Sequence, residues 1–241
     1  KREPREFSNA YRRRRFPAGP TFQSLRRLVG GGGTRPTTAR LRVHTFHGIH
    51  YSGYAPPGRR LYLALERRLS RMSGTIINVS ASQEAEGVAL GLFEREQSVV
   101  VMNGVDVDAI DSAIRQCGIG RETLGLTADD FVLGCVSRWD PVKRFEILLE
   151  AVERLATKVP RLAVLLVGGG GEERRIRRLV AEKGIQGHIV FTGFLGNPMR
   201  VYGLLDVYVA TSLKEGLPLA PLEAMAAGLP IVATDVPGHR D

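Results

Sequence analysis

DVYVATSLKEGLPLAPLEAMAAGLPIVAT, Asp206 to Thr234, sets two apolar runs on either side of a Gly/Pro loop and a helical segment. Asp206 to Ala210 and Leu229 to Thr234 read as strands, so the stretch is strand, loop, helix, strand, the repeating unit of a parallel α/β sheet. The helix begins no earlier than about Pro218, because proline suits a first helical position and fits poorly inside a helix. Glu215 therefore lies in the loop and Glu223 in the helix, and the two are not stacked on one helical face. The backbone N–H groups of Leu217, Leu219 and Ala220 cluster at the helix start, which attracts anions such as phosphates. Two acids beside such a site want hydrogen-bond donors, and sugar and ribose hydroxyls fit.

Upstream the same alternation repeats. Strand Phe131 to Ser137 leads to a helix near Val142 to Thr157, with Phe145, Leu148, Leu149, Val152, Leu155 and Ala156 on one apolar face. Strand Leu162 to Val167 leads through four glycines to a charged helix, Glu172 to Lys183. Strand His188 to Thr192 and a short helix around Pro198 to Leu205 complete the series. Before it, Asn103-Gly104-Val105-Asp106 is a turn signal and marks a boundary. The preceding half gives a strand at Leu41 to Phe46, a basic amphipathic helix over residues 59–72, and strands at Thr75 to Ser80 and Ser98 to Met102, with a helix through Glu84 and Ala89 between these two. The basic helix places Leu61, Leu65, Leu69 and Met72 at helical spacing for its packed face, with five arginines elsewhere; a solvated face and contact with an acidic membrane surface both fit.

The net charge of +9 is concentrated at one end. Residues 1–42 hold twelve Lys/Arg against two Glu, a balance of +10, so the remainder sums to −1. A basic arm over 1–40, whether disordered or phosphate-seeking, thus accounts for the high pI, and nothing in the body asks for a specific nucleic-acid partner. Two cysteines, Cys117 and Cys135, form no disulfide framework or CxxC site and suit a reducing cytoplasm. No apolar run approaches the roughly 18–20 residues that cross a bilayer, so membrane contact is expected to be peripheral, at the inner face.

Polar groups fall at the ends of the strands, where open α/β sheets bind ligands. His47-Gly48 follows the first strand; a ligand-facing histidine and a locally satisfied one both fit, and His44 and His50 carry less signal. Arg138 and Lys143 follow the strand Phe131 to Ser137, a guanidinium and an ammonium that suit a diphosphate. The glycine run Gly168 to Gly171 matches no dinucleotide fingerprint and reads as a tight turn. Backbone near Leu195 could read a base edge.

With HTFHG, INVS, NGVD, SRWDPVKRF, LLVGGGG, FTGFLGN and SLKEGLPLAPLEAMAAGLPIVATDVPG in that order, the chain resembles the family 4 retaining glycosyltransferases of the GT-B fold from about Arg42 to Asp241. The resemblance implies two Rossmann-type parallel-sheet domains, over 41–108 and 109–241, and sugar transfer from a nucleotide donor, UDP- or GDP-linked, to a glycan or lipid-linked acceptor. Arg138 and Lys143 would bind the diphosphate, Glu223 the ribose and Glu215 the donor sugar. Leu195 would meet the base, Gly216, Leu217 and Leu219 would line the phosphate and sugar pocket, and His47-Gly48 would face the sugar from the other domain. The resemblance implies that no metal ion is required. Its members carry further elements before HTFHG and after VPG, so the chain is expected to be truncated at both ends with an incomplete first domain; a donor-binding module with little turnover is the alternative. Trp139 stands where an aliphatic residue is common.

Overall fold

The computed structural model describes residues 42–49, 51, 54–116, 118 and 120–241. The arm over 1–40, Leu41, His50 and Cys117 lie outside them. The described residues form two parallel sheets. The first has three strands, β1 (Val43–Phe46), β2 (Thr75–Asn78) and β3 (Ser98–Val100), in the order β1-β2-β3. Helices α1 (Pro56–Arg71) and α2 (Ala81–Ala89) cross between them. The second has five, β4 (Phe131–Arg138), β5 (Leu162–Gly169), β6 (Ile189–Gly193), β7 (Val207–Ala210) and β8 (Ile231–Ala233), in the order β6-β5-β4-β7-β8. Every pairing is parallel. Helices α3 (Val107–Arg115), α4 (Phe145–Ala156), α5 (Glu173–Glu182) and α6 (Leu219–Ala226) cover this sheet.

Burial on both faces explains why β4 and β5 read as unbroken apolar runs. On one face Leu148, Leu149 and Val152 of α4 and Ile176 and Val180 of α5 pack against Leu133, Val164 and Leu166. On the other, Val201, Tyr202, Leu205 and Ala224 pack against Val132, Leu165 and Tyr208. A smaller core of Phe46, Ile49, Tyr62, Leu63, Ile76, Leu92 and Phe93 holds the first sheet.

Four expectations change. The packed face of α1 is Tyr62, Leu63, Glu66, Leu69 and Ser70, while Leu61 and Met72 are exposed. The helix is rolled because Tyr62 and Leu63 enter the core beside Phe46, and because Glu66 comes within 4.0 Å of the His44 imidazole. Arg67 is drawn in as well and donates to the Leu90 carbonyl at 2.8 Å. The Asn-Gly-Val-Asp turn doubles as a helix start, since the Asp106 carboxylate accepts the Ala109 N–H at 2.9 Å and caps α3. The glycine run is more than a turn: β5 continues through Gly168 and Gly169, paired with Ser137 and Arg138. Finally, α4 starts at Phe145 instead of Val142, because Pro141–Lys143 forms a separate 3-10 turn and Arg144 adopts φ 49° between them.

Candidate functional site

The order of the second sheet reverses between β4 and β7, since the chain leaves β4 toward β5 on one side and returns to β7 on the other. A crevice opens at the carboxyl ends of the strands at such a switch point. Arg138 ends β4 and the turn after it carries Lys143; the loop after β7 carries Glu215 and Gly216.

Backbone bonds tie these two segments. Leu213 N–H donates to the Val142 carbonyl at 2.8 Å and the Thr211 hydroxyl to the Lys143 carbonyl at 2.9 Å. The loop after β8 joins through the Thr234 hydroxyl, which donates to the Ser212 carbonyl at 2.6 Å. Lys143 and Glu215 are thereby brought together: Nζ donates to Oε1 at 2.6 Å, with both side chains largely out of water. An ammonium has three N–H donors, so this bond leaves two for an anion.

Arg138 is not drawn into that pair. Its guanidinium folds onto Asp140, at 2.7 Å from Nη2 to Oδ2, and stays mostly exposed. Trp139, between them, points the other way, wholly buried edge-on to Phe145 and Phe191.

Pro218 stands at the N-cap of α6 with no side-chain cap, so the Leu219 and Ala220 amides of the first turn have no side chain bonded to them. Leu217 is buried and its carbonyl accepts from the Asn103 carboxamide at 2.7 Å, a bond between the two sheets' halves. Leu219 is exposed. One turn on, Glu223 Oε2 accepts the Tyr202 hydroxyl at 2.7 Å. Burial first, and the Glu223 carboxylate second, hold that phenol above its ordinary range. Leu195, in the loop after β6, packs partly buried on the sheet core, while its neighbour Phe194 is exposed.

From the first half, His47 is exposed and Gly48 half-buried. The backbone of His47 comes so close to the β7 loop that a Cβ on Gly216 would lie 2.5 Å from its carbonyl oxygen. Lys214 reaches across to pair with Glu86 and lies 4.3 Å from the centre of the Tyr51 ring. Sequence reasoning missed Tyr202, Asn103, Lys214 and Glu86, whose partners lie at least 18 residues away and leave no local pattern. Among the described residues no group of three His, Cys, Asp or Glu could hold a metal ion.

A doubly wound parallel sheet with polar groups gathered at its switch point is an open α/β half of the kind that meets its ligands at that crevice. Residues 120–241 match the family model described as glycosyl transferases group 1, and the chain belongs to that family. It is 32% identical over 224 residues to EpsD of Bacillus subtilis (strain 168), named as a glycosyltransferase, covering 88% of this chain and 58% of that protein. It is likewise 32% identical over 243 residues to 2-deoxystreptamine glucosyltransferase of Streptomyces kanamyceticus, covering 95% of this chain and 62% of that one. Its fold is that of Anabaena HepE, solved in complex with UDP and glucose: TM-score 0.72 at 23% identity, over 90% of this chain and 57% of HepE. The chain thus spans about three-fifths of the length of these relatives.

Proposed function

We propose that this chain holds the donor site of a glycosyltransferase that moves a sugar from a nucleoside-diphosphate sugar to a glycan or lipid-linked acceptor, with retention of configuration and without a metal ion. The observation that carries the reading is the Lys143–Glu215 pair at the switch point, beside the uncapped start of α6. Lys143, with Arg138 swinging from Asp140, binds the diphosphate; the amides of Gly216, Leu217 and Leu219 line the phosphate and sugar pocket. Glu215 holds the sugar, Glu223 the ribose, and backbone near Leu195 meets the base. His47 and Gly48 face the sugar from the first half. UDP is the favoured nucleotide, because HepE was solved with it.

In the reaction the bond from the anomeric carbon to the phosphate oxygen breaks and its electron pair stays on the diphosphate. The acceptor oxygen bonds to the anomeric carbon on the same face, and its proton passes to the departing phosphate. Fixed cations and helix-end amides at the diphosphate stabilise that growing negative charge. The division into a first domain over 41–108 and a donor domain over 109–241 belongs to this reading; all of α3 but its first two residues falls in the donor domain, packed on the 3-10 turn Pro198–Leu204 and on α6. So does a cytoplasmic location with peripheral contact at an acidic membrane face through the exposed Arg59, Arg60, Arg68 and Arg71 of α1. No described helix is long and apolar enough to cross a membrane.

Calorimetry with UDP, GDP and ADP tests donor binding, and a donor-hydrolysis assay across common nucleotide sugars tests turnover. Heat with UDP and consumption of one UDP-sugar are expected. No heat with any of the three sinks the donor site; binding without consumption leaves a donor-binding module and sinks the transferase.

A further inference from the structure

Asn78 ends β2, and Gln83 lies five residues on, in the first turn of α2. They are 0% and 3% exposed, and the oxygen and nitrogen of both carboxamides have no hydrogen-bond partner among the described residues. Buried amides are ordinarily satisfied, because an unpaired one forfeits its hydration for nothing. Both lie at the carboxyl end of β2, the end at which an α/β sheet meets its ligands.

Gln83 is aimed across the divide between the halves. Its Oε1 is 3.1 Å from the point where a Cβ on Gly216 would lie, the same point that the His47 carbonyl approaches to 2.5 Å. An amide, a carbonyl and the glycine backbone thus meet beside Glu215. The charged groups nearby are engaged elsewhere: Asp241 accepts the Ser82 and Gly238 N–H groups, each at 3.0 Å, and Lys214 is paired with Glu86. The group that Gln83 itself brings is neutral. A carboxamide offers two donors and an acceptor, the complement of neighbouring hydroxyls and a poor match for phosphate.

We propose that Gln83 forms a hydroxyl-reading subsite for a sugar ring where the first half meets the donor loop, with Asn78 a second unpartnered amide at the same end of the sheet. The proposal rests on the donor-site reading above. The hydroxyls belong to the donor's sugar or to the acceptor glycan, and two titrations separate these sources: UDP-glucose against UDP, and glucose added to the UDP-saturated protein.

The test uses the 241-residue chain and the variants Gln83→Met, which keeps the length of the side chain, and Asn78→Leu. Gln83→Met is expected to bind UDP within twofold of the wild type. It loses at least tenfold in affinity for UDP-glucose if the subsite reads the donor ring, or for glucose if it reads the acceptor. Its melting temperature in the absence of sugar stays level or rises. Unchanged affinity for both sugars, with normal UDP binding, overturns this subsite alone; a wild-type chain that does not bind UDP overturns the donor site and the subsite with it. If neither variant folds, wild-type melting with saturating UDP decides: a rise on adding glucose, or with UDP-glucose over UDP, supports the subsite, and no rise with either overturns it.

Discussion

Lys143 donates to Glu215 across 2.6 Å, and only 21% and 13% of the two side chains reach solvent. The pair joins the turn after β4 to the loop after β7, 72 residues apart in sequence. Lys143→Met leaves a largely buried carboxylate without its partner, at a cost of about 1–3 kcal/mol, between the surface and fully buried limits. It also removes the cation proposed for the diphosphate, so UDP affinity is expected to fall at least tenfold. Glu215→Gln keeps the shape and is expected to hold UDP within a few-fold while donor consumption drops at least tenfold. Urea unfolding and calorimetry on both variants check the pair; a Lys143→Met chain that binds UDP normally removes Lys143 from the site.

Glu223 is presented by the Tyr202 hydroxyl, at 2.7 Å. Tyr202→Phe deletes that bond and keeps the ring packing, which is expected to cost about 1 kcal/mol in stability and a few-fold in UDP affinity. Glu223→Ala is expected to cost at least tenfold in UDP affinity, and the two losses together should fall short of their product because they act through one carboxylate. Full additivity would show that Tyr202 does not orient Glu223.

The alternating strands and helices of the second half were legible because β4 and β5 are covered on both faces and their apolar runs are unmistakable. Glu215, Glu223, Arg138 and Lys143 were legible by position, as polar residues at strand ends and a helix start. Their partners were not: that Lys143 pairs with Glu215 and Arg138 with Asp140 depends on how the β7 loop is stitched to the β4 turn by Thr211 and Leu213. The roll of α1 was misread because Glu66, a charged residue, is buried through His44, which periodicity of apolar residues cannot anticipate. Gly168 and Gly169 read as a turn because glycine hides strand character, and the register with Ser137 and Arg138 exists only in the folded sheet.

Burial pushes the Cys135 thiol up from 9.0 to about 11, against a smaller opposing hydrogen bond with Ser137. Above pH 9 the unfolded chain therefore releases a proton that the folded chain retains, and stability falls with rising pH. The contribution is complete below pH 9 and lost as pH climbs to about 11, about 2–3 kcal/mol in all. Tyr202 and Tyr208, held above their ordinary range mainly by burial, add to the loss above pH 10. Urea unfolding at pH 8, 9 and 10 is expected to show wild type losing more than Cys135→Ala over this window. Parallel curves for the two would contradict the buried thiol.

Gly168 and Gly169 sit side by side and are expected to respond differently. Gly168 has φ 127°, and a Cβ there would lie 2.0 Å from the Ser137 carbonyl oxygen; at Gly169 a Cβ meets nothing within 4 Å. Gly168→Ala is expected to destabilise by about 3 kcal/mol or more, since neither neighbouring backbone can give way, and Gly169→Ala to change stability by less than about 1 kcal/mol. Equal thermal shifts for the two would mean that the β4–β5 register continues no further than Val136 and Val167.

Gly216 separates stability from function. A methyl group there meets the His47 carbonyl at 2.5 Å and the Gln83 amide at 3.1 Å, both from the first half. In Gly216→Ala each half keeps its core, and only their approach is blocked, so the melting temperature is expected to drop by no more than a few degrees. UDP, proposed to be held within the second half, is expected to bind within a few-fold of wild type, whereas transfer, for which His47 is proposed to stand beside the sugar, is expected to fall at least a hundredfold. A variant with wild-type transfer would show that the close approach of His47 to Gly216 is not part of the working geometry.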